Sequence, residues 1–153
     1  MLGATIGARF ASVSLSGALQ LGQELGIDSA HIDILPNGVS FERFSRSGEQ
    51  EVVRARAALG VPLGAVVVGT VGSLSRIKRH DLLLDAAAKL VPAAPNLVIL
   101  IVGEGPERSA LELRAESLGL AQRVKFLGDR DDVPQILPAM DCYVSASDFE
   151  GMS

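Results

Sequence analysis

The sequence contains 153 residues, of which 48% are hydrophobic and 21% are charged. This composition predicts a chain with a folded core rather than a disordered one, and its length suits one domain or a piece of a larger protein. The 14 basic and 18 acidic side chains give a net charge of -4, which argues against a dedicated nucleic-acid-binding protein, because such proteins usually carry a basic surplus.

The first 48 residues predict only short elements. In chain order they are a strand at 10–14, a helix from residue 15 that ends at Gly26, a strand at 32–35, a turn at 36–38 and a linker at 41–48. These elements have too few partners to form a core of their own. The sequence also stops at Ser153, inside a segment that has the character of a ligand-binding loop. We therefore expect the chain to be a piece of a longer protein.

From residue 49 onward, strands and helices alternate. Continuous apolar runs predict strands at 65–71, 97–102, 123–127 and 141–145. Periodic apolar stripes predict helices at 49–59, 80–91 and 106–118, and a short helix that Asp131 or Asp132 caps and Pro138 ends. This alternation predicts an α/β fold, a Rossmann-like doubly wound parallel sheet with helices on both faces.

Four loops follow the carboxyl ends of the predicted strands, at 72–79, 103–106, 128–132 and 146–153. Right-handed crossovers place such loops at one edge of the sheet, where ligands of these folds bind. In the first loop, Arg76, Lys78 and Arg79 lie close to a predicted helix start. Free N–H groups and the helix dipole favour an anion there, and a lysine adds a mobile charge for a diphosphate. A solvated basic turn is the alternative.

The other three loops each allow two interpretations. The second begins a dinucleotide-binding pattern, but Arg108 stands where the third glycine belongs, so its glycines would only permit a tight turn. In the third, Asp131 and Asp132 form a carboxylate pair for acid–base or metal chemistry, or they cap a helix. In the fourth, Glu150 accepts hydrogen bonds from sugar hydroxyls and the backbone of 151–153 binds an anion, or the segment is a surface turn.

The remaining reactive residue types predict no further site. The single cysteine, Cys142, excludes an internal disulfide framework and is expected in the core. His31 is expected at the surface and His80 at a helix start, and the pair has no metal-ligand spacing. The longest apolar run, Leu97–Val102, is too short to cross a bilayer, and we find no signal peptide. A cytoplasmic, reducing compartment is therefore expected.

Taken in order, the segments resemble those of retaining glycosyltransferases of the GT-B fold, family 4 type, also called group 1 glycosyltransferases. The matching segments are Ile34-Leu35-Pro36-Asn37-Gly38-Val39 with Phe44, Val71-Gly72-Ser73-Leu74 with Lys78, Val102-Gly103-Glu104-Gly105-Pro106, Val124-Lys125-Phe126-Leu127-Gly128 before Asp131-Asp132-Val133, and Ser147-Asp148-Phe149-Glu150-Gly151. Each segment is weak alone, but five in this order and spacing are specific, and they extend from about residue 13 to the last residue.

The resemblance implies a division of the chain between two domains. Residues 1–35 would be the end of an N-terminal, acceptor-side Rossmann-like domain and 36–47 the interdomain connection. Residues 48–153 would be a truncated, incomplete C-terminal domain that binds the nucleotide sugar. The acceptor site would then lie outside this chain, so we expect a hexosyltransferase-type enzyme when intact and a fragment that is inactive alone.

The resemblance also implies which residues bind the donor. The implied donor-binding residues are Gly72, Ser73, Arg76, Lys78, Gly103, Arg130, Glu150, Gly151, Met152 and Ser153, with Lys78 and Glu150 as the catalytic pair. The family clamps the diphosphate with an arginine and a following lysine. Lys78 matches that lysine, but Ser73 stands at the arginine position, and Arg76 is the candidate to replace it. The segment around Arg130 matches the stretch whose backbone meets the nucleobase, and Glu150 matches a sugar-hydroxyl contact.

The implied reaction moves a sugar from a nucleoside-diphosphate donor to an acceptor hydroxyl with retained configuration. A lysine and helix-terminal N–H groups would neutralise the leaving diphosphate, so no cofactor or metal is expected. The acceptor would be a glycan, a lipid or a small molecule, with no nucleic-acid partner. Peripheral association with the inner face of a membrane would occur through the N-terminal domain. The alternatives are a Rossmann-type nucleotide-dependent oxidoreductase or epimerase, and a non-catalytic nucleotide-sugar-binding module.

Overall fold

The computed structural model describes residues 9–44 and 48–150, which fall into two units. The first unit comprises residues 1–41 and 149–153, and the second comprises residues 42–148. The two units are distinguished by the contacts that residues of this chain make with one another. The assignment of 1–35 to a preceding domain and of 36–47 to a connection therefore stays a prediction.

The first unit contains one β–α–β motif. Strand β1 (Phe10–Ser12) pairs in parallel with β2 (Ile32–Ile34), and helix α1 (Leu15–Leu25) connects them. Strand β1 ends earlier than predicted because Ser14 caps α1, its hydroxyl accepting a hydrogen bond from the Gly17 N–H at 3.1 Å. The helix ends at Gly26, as predicted, with a left-handed φ of 65°.

The second unit is a four-stranded parallel sheet with helices between the strands. Its elements are α2 (Glu49–Ala58), β3 (Val66–Val71), α3 (His80–Leu90), β4 (Leu97–Val102), α4 (Arg108–Ser117), β5 (Val124–Gly128), α5 (Val133–Ile136) and β6 (Cys142–Tyr143). The strand order is β5-β4-β3-β6, and β3 and β4 pair along their whole length. The predicted α/β fold with a parallel sheet is confirmed.

Both faces of this sheet are covered. On one face, the side chains of β4 at Leu97, Ile99 and Ile101 pack with α3 and α4. On the other face, Leu100 packs with Val67 of β3, with α2 and with the 3₁₀ turn Leu137–Ala139. Because successive residues of a strand point to opposite faces, the unbroken apolar run of β4 supplies both cores.

Arg56 of α2 is a buried cation that the sequence pattern did not single out. Its side chain is 6% exposed and forms an ion pair with Asp141 at 2.7 Å. The guanidinium also donates to the carbonyl oxygens of Leu63, Ala65 and Ala139 at 2.5, 3.1 and 3.2 Å. Arg56 therefore joins α2 to the start of β3 and to the segment before β6.

Three local predictions need correction. Helix α4 begins at Arg108 rather than at residue 106. Strand β6 covers only Cys142–Tyr143, and Cys142 is exposed because β6 is the last strand of the sheet among residues 48–150, not a core strand. The side chain of Asp132 does not cap α5, because its carboxylate binds Arg130 instead.

Candidate functional site

The carboxyl ends of β3, β4 and β5 each carry a glycine, at Gly72, Gly103 and Gly128. The N–H of Gly72 donates to Val102 O at 2.9 Å, and the N–H of Gly103 donates to Gly128 O at 2.7 Å. Gly103 has a φ of 133°, and a Cβ there would lie 2.0 Å from Gly72 O. Only glycine fits this position, because the backbone of the neighbouring loop occupies the space of a side chain.

The first and second loops are also joined beyond the glycines. The N–H of Leu74 donates to Glu104 O at 2.9 Å, and the N–H of Glu107 donates to Leu74 O at 2.9 Å. A Cβ on Gly105 would lie 2.5 Å from the Leu74 carbonyl oxygen. The glycines of the second loop therefore serve a tight turn and close loop approach, which was one of its two predicted interpretations.

Arg108 accounts for the broken dinucleotide pattern. Its guanidinium carbon lies 4.9 Å from the centre of the Phe126 ring. The same side chain forms ion pairs with Glu104 at 2.6 Å and with Glu112 at 2.5 Å. Where a dinucleotide-binding fold needs a glycine for close packing of helix on strand, this chain has a large cation lying over an aromatic ring.

These loops surround a cavity of about 340 Å³ at the carboxyl edge of the sheet. Four of the residues predicted to bind the donor line it: Gly72, Ser73, Gly103 and Arg130. The other lining residues are Val71, Val102, Glu104, Asp129 and Val133. The structure thus brings together, at one edge, candidate residues that lie up to 58 positions apart in the sequence.

Lys78 does not itself line this cavity, but its side chain lies beside a residue that does. It ends the 3₁₀ turn Arg76–Lys78 and is half-buried. Its Cδ and Cε atoms lie 3.9 Å from the position that a Cβ on Gly72 would take. The lysine side chain therefore runs beside Gly72, which lines the cavity.

Arg76 lies elsewhere. It lines a second cavity of about 640 Å³, together with His80, Glu107, Arg114 and Asp148. Gly72 and Ser73 are not among the residues that line this second cavity. Arg76 and Ser73 thus line different cavities, and replacement of the missing arginine by Arg76 stays a prediction.

Arg130 folds onto its own loop. Its Nε and Nη2 atoms donate to the two carboxylate oxygens of Asp132, each at 2.7 Å. Arg130 holds the pKa of the Asp132 carboxyl below its usual range through these hydrogen bonds. The Asp132 carboxylate and the Arg130 guanidinium therefore form an ion pair within the third loop.

His80 is a buried side chain close to the site. It is 4% exposed, and its Nε2 lies 3.2 Å from the carbonyl oxygen of Ser73. Desolvation by burial lowers the pKa of His80 below its ordinary value of 6.5. The neutral imidazole can donate its Nε2 proton to this carbonyl and so hold the backbone of the first loop. Sequence reasoning placed His80 only at the helix start.

The last candidate residues are Glu150 and the three residues that follow it. Glu150 is half-buried and belongs to the first unit, and its role in sugar binding stays a prediction. Gly151, Met152 and Ser153 lie outside the described residues.

Across residues 9–44 and 48–150 there is no group of three or more His, Cys, Asp or Glu side chains that would hold a metal ion. In the same ranges no helix is long and apolar enough to cross a membrane.

Comparison with known proteins identifies the family. The sequence pattern of the family described as glycosyl transferases group 1 matches residues 53–153, about two thirds of the chain. The chain belongs to the group 1 glycosyl transferases. This membership and the parallel sheet agree with the GT-B fold and disfavour the oxidoreductase alternative.

Two curated relatives illustrate the range of this glycosyltransferase group. The D-inositol 3-phosphate glycosyltransferase of Corynebacterium urealyticum is 39% identical over 77% of this chain and 30% of its own length. The 2-deoxystreptamine glucosyltransferase of Streptomyces kanamyceticus is 32% identical over 87% of this chain and 35% of its own. The chain thus spans about a third of the length of the curated glycosyltransferases it matches.

Among solved structures, Anabaena HepE in complex with UDP and glucose superposes with a TM-score of 0.80. It is 27% identical to this glycosyltransferase chain, and the match covers 92% of this chain and 38% of HepE.

Proposed function

We propose that this chain carries the donor-binding part of a retaining glycosyltransferase of family 4 type. The donor is a nucleoside-diphosphate sugar, and it binds in the 340 Å³ cavity at the carboxyl edge of the sheet. The observation that carries this proposal is that Gly72, Ser73, Gly103 and Arg130 line one cavity, with Lys78 beside Gly72. The UDP and glucose bound by Anabaena HepE support the same class of donor.

The geometry suits recognition of a diphosphate. The loop glycines allow backbone close to the ligand, and Lys78 supplies a cation whose stem is held against Gly72. As the bond from the sugar to the diphosphate breaks, negative charge grows on the leaving oxygens. A cation fixed beside them stabilises this charge more than it stabilises the ground state, so Lys78 accelerates the step.

The other candidate residues bind the nucleobase and the sugar of the donor. The backbone of the loop at Arg130 contacts the nucleobase, Glu150 contacts the transferred sugar, and the backbone of 151–153 binds an anionic group of the donor. The acceptor, a glycan, a lipid or a small molecule, binds to the acceptor-side domain, at the inner face of a membrane in the cytoplasm. Catalysis needs no metal, and unchanged transfer in excess chelator is the expected result.

A nucleotide titration tests the donor site. Isothermal titration of the chain with UDP and with GDP is expected to show binding of one of them. Lys78→Ala should weaken binding of that diphosphate by about tenfold or more, since one charge-assisted contact is lost. Lys89→Ala, which removes an exposed lysine from α3, is the matched control and should bind as the unaltered chain does.

The transfer assay separates an enzyme from a binding module. In an intact protein, Lys78→Ala should raise the activation free energy by roughly 2–4 kcal/mol, by analogy with loss of one oxyanion-type donor. Unchanged turnover would remove Lys78 from the site. Donor binding with no transfer to any acceptor would instead support the non-catalytic module.

A further inference from the structure

The residue after Lys78 has an unusual backbone conformation. Arg79 has a φ of 49° and a ψ of 42°, and in the described ranges it is the only residue other than glycine with a positive φ. A side chain in this left-handed region is strained, and such strain persists only where surrounding contacts hold it. Arg79 ends the turn that carries Lys78 and directly precedes α3.

Two carboxylates hold Arg79 in place. Its Nε and Nη2 atoms donate to Asp81 at 3.1 and 3.2 Å. Its Nη1 atom donates to Asp148 at 2.9 Å, across 69 positions of sequence. The N–H of Asp148 also donates to the carbonyl oxygen of Ile77 at 2.9 Å. The turn that carries Lys78 is therefore fastened to the segment that follows β6 by both side chain and backbone.

We propose that Arg79 and Asp148 form a clamp that positions Lys78 for the donor diphosphate. The clamp joins the loop after β3, which carries Lys78, to the loop after β6, which leads within two residues to Glu150. Arg79 and Asp148 are positioning residues: neither lines the 340 Å³ cavity, and the side chain that lies beside Gly72 at its wall is that of Lys78. This inference rests on the proposed function, because it assumes that Lys78 binds the diphosphate.

Charge balance supports a positioning role for Arg79 rather than a second ligand role. Its guanidinium faces two carboxylates, which neutralise its charge locally, whereas the side chain that lies beside Gly72 is that of Lys78. Arg79 also lines the larger cavity, away from Gly72 and Ser73. The side chain of Arg79 is 32% exposed and that of Asp148 is 57% exposed, so solvent weakens the ion pair. Loss of the clamp should therefore have a modest effect, about fivefold on binding.

The test compares UDP with UMP, or GDP with GMP if the guanine nucleotide binds, by calorimetric titration of the chain. The difference between diphosphate and monophosphate isolates the contact that Lys78 makes. The variants are Asp148→Asn, Asp148→Glu, Arg79→Gly and Lys78→Ala. Asp85→Asn is the matched control, because Asp85 pairs with Arg114 on α3 and α4, away from Lys78. Urea unfolding of each variant is measured in parallel.

The clamp predicts a selective effect. Asp148→Asn and Arg79→Gly should bind the diphosphate about fivefold more weakly, with monophosphate binding unchanged. Asp148→Glu should retain most of the affinity, because the ion pair is kept. Arg79→Gly should change the urea midpoint little, since glycine relieves the left-handed strain as the ion pairs are lost. Asp85→Asn should bind both nucleotides as the unaltered chain does.

Other outcomes separate the clamp from the proposed function. If Lys78→Ala weakens diphosphate binding while both clamp variants bind normally, the clamp is wrong and the donor site stands. If Lys78→Ala has no effect, or neither nucleotide binds the unaltered chain, the proposed function fails and the clamp fails with it. Equal losses for diphosphate and monophosphate would show general loosening of the loop and would overturn the positioning role.

Discussion

Replacement of Arg56 by methionine tests how α2 is held to the start of β3 and to the segment before β6. Methionine keeps much of the apolar stem of Arg56 and removes the guanidinium. The change breaks the ion pair to Asp141 and the hydrogen bonds to three backbone carbonyl oxygens. The Asp141 carboxylate keeps its hydrogen bond from the N–H of Val67, at 2.7 Å.

The expected magnitude follows from which of these partners are buried. The hydrogen bonds to the carbonyls of Ala65 and Ala139 are buried, whereas the side chain of Asp141 is 50% exposed. A buried carbonyl that loses its donor costs about 1–3 kcal/mol, while an exposed carboxylate regains water. Arg56→Met should therefore lower the free energy of unfolding by about 3 kcal/mol, and Asp141→Asn by about 1 kcal/mol.

The measurement is urea unfolding of the chain, followed by far-UV circular dichroism, with the m-value checked for each variant. Arg114→Met is the matched control, because Arg114 also pairs with an aspartate but is 43% exposed. It should shift the midpoint far less than Arg56→Met. If Asp141→Asn or Arg114→Met destabilised the chain as much as Arg56→Met, the reasoning from buried carbonyls would be refuted.

Three further predictions concern the binding edge. Gly103→Ala should lower the free energy of unfolding by roughly 3 kcal/mol in urea, because its Cβ would collide with Gly72 O. Gly119→Ala, which has a positive φ but open space, should cost only about 1 kcal/mol, and equal losses would show that the collision is relieved. Ser73→Arg should tighten UDP or GDP binding by about tenfold, because it restores the arginine that the family uses with the lysine to bind the diphosphate. Unchanged or weaker binding would show that a side chain at position 73 does not point toward the diphosphate. The pKa of His80 is lower in the folded chain than in the unfolded chain, so as pH falls this imidazole is protonated in the unfolded chain before it is protonated in the folded one. The urea midpoint should therefore decrease from pH 7.5 to 5.5, and His80→Gln should flatten this decrease; an identical slope in both proteins would contradict it.

The sequence predicted the sheet well because its strands are continuous apolar runs. Strand β4 matches its predicted bounds, and β3 differs from its prediction by one residue. Helix α5 begins directly after Asp132, as predicted, but the expected side-chain cap is absent because the Asp132 carboxylate had two available partners. Asp132 could cap a helix or pair with Arg130, and only the fold shows that it pairs.

The candidate site was predictable in part for the same reason. Parallel strands with right-handed crossovers bring loops to one edge, so Gly72, Gly103 and the Arg130 loop were expected together. The direction of each side chain within a loop was not predictable from spacing. Arg76 and Ser73 line different cavities, and the ion pair of Arg79 with Asp148 joins residues 69 positions apart that no local pattern connects.

The hydrogen bonds between successive strand-end loops have a consequence for how such a site can diverge. The frame of the cavity is made by main-chain groups of Gly72, Val102, Gly103 and Gly128, which are present whatever side chains the neighbouring positions carry. Substitutions at 73, 104, 129 and 130 can therefore alter the chemistry facing the ligand while the frame keeps its shape. A change of donor specificity would then require new side chains at these four positions and no change in the main-chain frame. Gly72, Gly103 and Gly128 would be the positions that tolerate replacement least.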